Sequence, residues 1–350
     1  MGRLLRRNTT PNLKIGFIGC GRMAEYHARV LRALGAGISA VCGRRDSNQV
    51  KAFAKRHGIP RVYDTWLELV RDHEVEALWV TTPWDVTGEL LLSLIQTKLP
   101  LFIEKPVAID SKRIQLAIQL QEKLGSKVVV GMNRRFYDFL PALRSALTTS
   151  SLKAVEVMLP EQVADGHLDP SQRNRLWLTS SIHEIDLIYH LLGPLKVLVV
   201  EPSGKALMDG VHGFHGLLVA ERSRVPVHLV APWGAPWNKA IRFFFQDQVV
   251  ELCPIEEMRV FHGMKKHPAT RRNPITRFQP SLVKRLEASA QYKPGLCNED
   301  EATMNWMRQN RWMEGLANLQ DAYEVTCLIE TICSATGGTT SSISPAASLA

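Results

Sequence analysis

The chain has 350 residues, 45% of them hydrophobic and 22% charged, the make-up of a globular protein with material for two cores. No apolar run approaches the length of a membrane span, so a membrane partner is not expected. The net charge of +9 raises nucleic acid as a partner, but no helix-turn-helix, zinc-finger spacing or basic-aromatic platform accompanies it, and none is expected. Residues 1–127 carry 20 Lys and Arg against 12 Asp and Glu, and the rest is nearly balanced, so the first half suits a polyanionic nucleotide. The six cysteines form no C-x-x-C pair, which points to reduced thiols and a cytoplasmic location. Residues 1–11 are basic without an apolar core and are expected to be a flexible tail rather than a signal.

In chain order, Leu13 to Ile18 is a short apolar run that reads as a buried parallel strand. Gly19 and Gly21 supply a tight turn and allow close approach to a pyrophosphate, and Ala24 replaces the third glycine of a G-x-G-x-x-G fingerprint. Ala24, His27, Ala28, Val30, Leu31 and Leu34 then fall on a helical period, so a helix N-terminus faces the anion. Gly37 to Cys42 is the second strand. An NAD site places an acid at its end to bond the ribose hydroxyls. This chain places Gly43-Arg44-Arg45 there, with Asp46 coming late. Two guanidiniums grip a 2′-phosphate, so NADP(H) is favoured and NAD(H) remains possible.

The alternation continues with a helix from Ser47 to Arg56, a short helix at Trp66 to Arg71 and a strand at Ala77 to Thr81, ending in Thr82-Pro83. A helix at Gly88 to Thr97, a strand at Leu99 to Ile103, a helix at Ser111 to Leu124 and a strand at Lys127 to Gly131 complete a doubly wound parallel sheet over residues 12–131. Residues 132–336 read differently, as an α+β domain with an open, mainly antiparallel sheet. After a helix at Leu140 to Leu147, the expected strands are Lys153 to Leu159, Val197 to Glu201, Phe214 to Arg222, Val225 to Ala231, Ala240 to Gln246 and Gln248 to Leu252. A helical segment, Leu176 to Leu192, is inserted between the first two. Arg259 to Pro294 has weak periodicity and reads as a long excursion. Trp312 to Cys333 reads as a long helix packing back on the body, and 337–350 as a flexible tail.

Several short motifs stand out in this frame: Gly19-Cys20-Gly21-Arg22-Met23-Ala24, Thr82-Pro83, Glu104-Lys105-Pro106, Asn133-Arg134-Arg135-Phe136 and Ile182-His183-Glu184-Ile185-Asp186-Leu187. In these motifs, over Lys14 to about Thr336, the chain resembles the glucose-fructose oxidoreductase / inositol dehydrogenase / rhizopine-catabolism (Gfo/Idh/MocA) oxidoreductase family. The resemblance implies an N-terminal Rossmann domain and an NAD(P)-dependent oxidoreductase. Such an enzyme moves a hydride between nicotinamide and a secondary alcohol or ketone of a sugar, cyclitol, sugar phosphate or sugar nucleotide. It implies that Gly19, Gly21, Arg22, Met23, Ala24, Arg44, Arg45, Thr82, Pro83, Trp84, Glu104 and Lys105 surround the cofactor, and that the bond before Pro106 is cis. An ammonium past a strand end stabilises a developing alkoxide, the role implied for Lys105. His183 and Asp186 share a helix face; an imidazole moves a proton near neutrality, and a carboxylate bonds a substrate hydroxyl. Arg135, Arg173, Arg175 and Asp186 are the expected substrate contacts. His190 extends the face of His183 and Asp186, but no further ligand is clustered with them, so no metal is expected.

Two positions depart from the family pattern. Many members carry an Asp one turn before the histidine, and Thr179 stands there, so a hydroxyl replaces a carboxylate as partner of the imidazole. Thr87 replaces a histidine common after the Thr-Pro motif. Trp84 either lines the nicotinamide pocket or packs, and Trp233 and Trp237 either stack on a sugar or plug the sheet. The basic stretch from Arg259 to Arg277 either receives a phosphorylated substrate or is a solvated loop. A cofactor-sensing regulator and a carbon–carbon double-bond reductase are the competing readings of the same fold. Apolar runs such as Leu217-Leu218-Val219 and Phe243-Phe244-Phe245 lead to the expectation of a homodimer or homotetramer through the sheet.

Overall fold

The computed structural model describes residues 13–44, 48–162, 177–208 and 211–335. It divides into two compact units, Met1–Asp138 with Ala288–Thr326, and Phe139–Glu287 with Cys327–Ala350.

In the first unit, strands β1 (Lys14–Ile18), β2 (Gly37–Cys42), β3 (Arg61–Tyr63), β4 (Ala77–Val80), β5 (Leu101–Glu104) and β6 (Val128–Gly131) form one sheet. Its order is β3-β2-β1-β4-β5-β6, parallel throughout. All residues of β4, β5 and β6 are buried, as expected of strands covered on both faces. The crossovers are α1 (Arg22–Ala33), α2 (Asn48–His57), α3 (Trp66–Val70), α4 (Trp84–Gln96) and α5 (Ser111–Leu124). Their ends follow local chemistry. Thr65 and Glu68 form a capping box on α3, Asp110 accepts from the Arg113 N–H at 2.8 Å, and Gly125 closes α5 with φ 66°. The strand β3 was missed because only three residues form it and none is buried.

The second unit holds α6 (Leu140–Thr149), α7 (Ile182–Leu192) and an eight-stranded sheet. The strands are β7 (Leu152–Met158), β8 (Leu195–Met208), β9 (Val211–Ala220), β10 (Pro226–Ala231), β11 (Ala240–Phe245), β12 (Gln248–Leu252), β13 (Glu257–His267) and β14 (Arg277–Glu287). Their order is β14-β13-β12-β11-β7-β10-β9-β8, with only β7 and β10 parallel. The residues read as an excursion, Arg259 to Pro294, contain the β13–β14 hairpin. Most residues of β14 are exposed, so neither hydrophobic alternation nor a continuous apolar run marks it.

The C-terminal region also differs from expectation. Two helices replace the single one expected from Trp312: α8 (Leu296–Gln309) and α9 (Leu319–Ala335). Ala302, Met304, Trp306, Met307 and Leu316 join the core cluster around Phe17, Phe53 and Trp79. Residues 288–326, expected in the second domain, therefore belong with the dinucleotide-binding fold, as do 132–138.

Candidate cofactor and catalytic site

The Gly-rich turn is built by backbone geometry. Gly19 has φ +102°, and a Cβ there would lie 2.9 Å from the Thr81 carbonyl carbon and oxygen. Its N–H donates to the Cys42 carbonyl at 2.9 Å, tying the turn to the end of β2. Gly21 is the N-cap of α1, with no side-chain cap, and a Cβ added to it would meet nothing within 4 Å. Among the described residues, open space thus lies over uncapped N–H groups at the positive end of a helix, which fits a pyrophosphate. Ala24 is fully buried in the core beneath. Arg22 and Arg44 are exposed, Arg44 just beyond the carboxyl end of β2, while Arg45 and Asp46 lie outside the described residues.

Past β4, the Thr81 hydroxyl donates to the carbonyls of Ile18 and Gly19 at 3.4 and 3.3 Å. Thr82 and Thr87 hydroxyls are 2.7 Å apart, and the Thr87 hydroxyl reaches the carbonyls of Thr82 and Pro83. Thr87 therefore fastens the Thr-Pro turn to α4, and Trp84, half-buried, is the first residue of that helix.

Past β5, the Lys105–Pro106 bond is cis, as the resemblance implies. Glu104 anchors this end of the strand. Its carboxylate lies 3.0 Å from His27 Nε2, while His27 Nδ1 lies 2.9 Å from Asp300, which also accepts from the Trp79 indole at 3.1 Å. All four side chains are buried. Burial alone would lower the His27 pKa, but the charge and hydrogen bonds of Asp300 and Glu104 raise it to about 10. Burial would raise Glu104, but the bond and charge of His27 outweigh it and hold the carboxyl below its usual range. An imidazolium between carboxylates thus locks α1, β5 and α8 together at Glu104, the residue before Lys105. Glu299, the next residue on α8, is also buried, and among the described residues neither of its carboxyl oxygens has a hydrogen-bond partner. Burial and the charge of Glu104 push its pKa well above the carboxylate range, which favours its protonated form.

In the second unit, a π-helical turn, Trp177–Ser181, leads into α7. Ile182 to Ile188 are all buried, so His183 and Asp186 sit on a buried stretch of helix. Beside them Glu161, on the segment after β7, holds that entry turn. It accepts from Ser180 at 2.7 Å and from Ser181, and pairs with Lys239 at 2.6 Å. Lys239 also pairs with Glu184 at 3.3 Å. Arg144 donates to His190 at 2.7 Å. Among the described residues no group of three or more His, Cys, Asp or Glu is placed to hold a metal ion.

A model of an oxidoreductase family with an NAD-binding Rossmann fold matches residues 13–132. An inositol 2-dehydrogenase of Arthrobacter sp. (strain FB24) is 30% identical over 257 residues, covering 69% of this chain and 74% of that protein. The chain belongs to the Gfo/Idh/MocA oxidoreductase family. Among solved structures, a UDP-N-acetylglucosamine 3-dehydrogenase from Acidithiobacillus ferrooxidans shares the fold with a TM-score of 0.74 at 17% identity, covering 93% of this chain and 98% of that one. A 3-ketoreductase from Actinomadura kijaniata, solved with NADP and TDP-benzene, does so with a TM-score of 0.72 at 13% identity, with the same coverage.

As in the Gfo/Idh/MocA reading, the first unit gathers Gly19, Gly21, Arg22, Met23, Ala24, Thr82, Pro83, Trp84, Glu104 and Lys105 at the carboxyl ends of its strands. The second carries His183 and Asp186 on one helix. Arg135 does not suit substrate contact: its side chain is 2% exposed and pairs with Asp321 at 3.3 Å. Arg173, Arg175 and the side chain of Thr179 lie outside the described residues. Trp233 is buried against Trp177 and Phe214, at centroid distances of 5.8 and 6.3 Å, so it plugs the sheet, whereas Trp237 is exposed. Sequence reasoning missed Asp300, Glu299, Glu161 and Lys239. It took His27 only as part of a helical face, and the one signal was that charged residues interrupt apolar periodicity in α8.

Proposed function

We propose that the protein is an NADP(H)-preferring dehydrogenase or reductase acting on CH–OH groups of a cyclitol, sugar, sugar phosphate or sugar nucleotide. The observation that carries the reading is Lys105, set past a strand end on a Glu104 held by buried His27 and Asp300. A regulator has no need of so rigid a mount behind a lysine. When bound, the nicotinamide supplies or accepts the hydride. Lys105 donates to the reacting oxygen and stabilises its negative charge, His183 exchanges the hydroxyl proton, and Asp186 bonds a neighbouring hydroxyl. The relatives' names, an inositol 2-dehydrogenase and enzymes of nucleotide sugars, support a polyhydroxylated substrate. Arg44 beyond β2 supports NADP(H) over NAD(H). Free thiols at all six cysteines support a reducing compartment, the cytoplasm, and no helix among the described residues is long and apolar enough to cross a membrane. The open sheet of the second unit supports a homodimer or homotetramer.

The test is cofactor turnover with a panel of polyols, sugar phosphates and enones, offered with NADP(H) and NAD(H). Polyol or sugar oxidation with NADP⁺ is expected, with Lys105→Ala and His183→Ala each lowering kcat by about 10²- to 10⁴-fold. NADPH affinity is expected to stay within a few-fold in both variants. Reduction of enones alone identifies a double-bond reductase, and cofactor binding without any turnover identifies a sensor. Equal affinity for NADH and NADPH removes the cofactor preference.

A further inference from the structure

The segment that returns to the first unit ahead of α8 brings a lysine to the Gly-rich turn. Lys293 Nζ lies 3.4 Å from the Sδ of Met23, the second residue of α1. A thioether is a weak acceptor and an ammonium carries three donors, so among the described residues this contact leaves most of its hydrogen-bonding capacity unmet. The cation also lies close enough to Glu104 to help lower that carboxyl, and to oppose the upward shift of Glu299. It therefore stands beside the first turn of α1, and its charge is felt at Glu104 at the carboxyl end of β5, the two elements that flank a dinucleotide in this fold.

The placement is fixed by backbone contacts rather than left to a loose loop. The Asn133 side-chain amide donates to the Pro294 carbonyl at 2.8 Å, and the Leu296 N–H donates to the Lys293 carbonyl at 3.0 Å. Gly295 has φ +78°, and a Cβ on it would lie 2.0 Å from the Asn133 carbonyl oxygen, so the segment lies flush against the turn after β6. Further along, Asn298 donates to the Phe136 carbonyl at 3.0 Å and to Asp138 at 2.9 Å, and the Ser289 N–H donates to Asp138 at 2.9 Å. The side chain of Lys293 is half-buried and forms part of the wall of a cavity of about 390 Å³ whose other lining residues include Tyr26, Arg29 and Tyr292.

We propose that Lys293 is a cofactor-binding residue that grips the pyrophosphate of the dinucleotide from the C-terminal segment. A helix N-terminus offers roughly half a unit charge. Two phosphate groups carry two negative charges, and a mounted ammonium supplies the compensation that the turn lacks. The inference rests on the dinucleotide-binding reading of the first unit.

Fluorescence titration of NADPH and NADH into the full chain at low salt tests it. Lys293→Met keeps the bulk of the side chain and is expected to weaken both cofactors by the same factor, about tenfold, because they share the pyrophosphate. Lys293→Arg keeps the charge and is expected to stay within about threefold of wild type. Thermal melts of the unliganded variants that match wild type exclude a folding defect as the cause. Unchanged affinity in Lys293→Met, weakening of NADPH alone, or an equal loss in Lys293→Arg would each overturn the assignment while wild-type binding leaves the dinucleotide reading intact. Failure of the wild type to bind either cofactor overturns both.

Discussion

His27 shows what a single buried charge does in this molecule. Its imidazolium touches Glu104 on one side and Asp300 on the other, 273 positions away in the chain, and no local pattern links them. The apolar period of α1 was readable, and so was the Glu-Lys-Pro triplet. The bond joining them was not, because it depends on which strand neighbours which and on where α8 returns. Removing the imidazole leaves two buried carboxyl groups without their partner, so His27→Ala is expected to cost about 3–5 kcal/mol in urea denaturation. The pH dependence follows from the directions of shift. His27 rises from 6.5 to about 10 on folding, so its stabilisation is complete below about pH 6.5 and disappears as pH climbs through about 10. Glu299 is also raised, so its neutral form favours the fold at low pH and loses that advantage as pH rises through its folded pKa. Both act in the same sense, and the urea midpoint is expected to fall from about pH 6.5 to 10. Glu299→Gln, a neutral isostere, is expected to remove the carboxyl's share of the loss and so flatten the profile above the ordinary carboxylate range. A wild-type profile that is level over this range contradicts the charge assignment.

At the level of elements, strand-turn-helix segments were legible because their signals are local: a buried apolar run, a glycine at the turn, then a 3.6-residue period. The two glycines of the first turn serve different ends, which their surroundings separate. Gly19→Ala puts a Cβ against the Thr81 backbone at positive φ and is expected to lower stability by about 1–3 kcal/mol. Gly21 has φ −81° and open space ahead of it, so Gly21→Ala is expected to melt within about 2 °C of wild type. That same methyl group intrudes where a pyrophosphate approaches the helix, and NADPH affinity is expected to drop by at least about tenfold. Thermal melts and NADPH titration of the two variants check the contrast. Retained affinity in Gly21→Ala would show that the pyrophosphate does not use this turn. The hairpin of β13 and β14 was illegible for the opposite reason. Its side chains are mostly exposed, so pairing along the backbone, rather than a pattern of burial, defines it.

For the whole molecule, the eight-stranded sheet carries apolar surface that the other described residues do not cover. Along β7 the buried residues Val155 and Val157 alternate with half-buried Ala154, Glu156 and Met158, so one face of the sheet forms core and the other is only partly covered. Toward the β14 edge the exposure grows: Met264, Phe278, Leu282 and Val283 are each more than half exposed. Large apolar side chains gathered on neighbouring strands at one sheet edge are the signature of an interface. Most soluble oligomers are closed and symmetric, so the simplest cover is the same surface of a second copy. The basic residues of the hairpin, Lys265, Lys266, Arg277, Lys284 and Arg285, oppose close contact between identical edges, which favours pairing through the apolar side chains and predicts tighter assembly at higher salt. Light scattering at micromolar concentration is expected to give at least twice the chain mass of 39.3 kDa. The double variant Phe278→Asp with Leu282→Asp is expected to shift that mass toward the monomer, since both side chains are exposed and neither supports the core. A wild-type mass near 39.3 kDa at every concentration and salt would leave the sheet without a partner of its own kind and would overturn the proposed assembly.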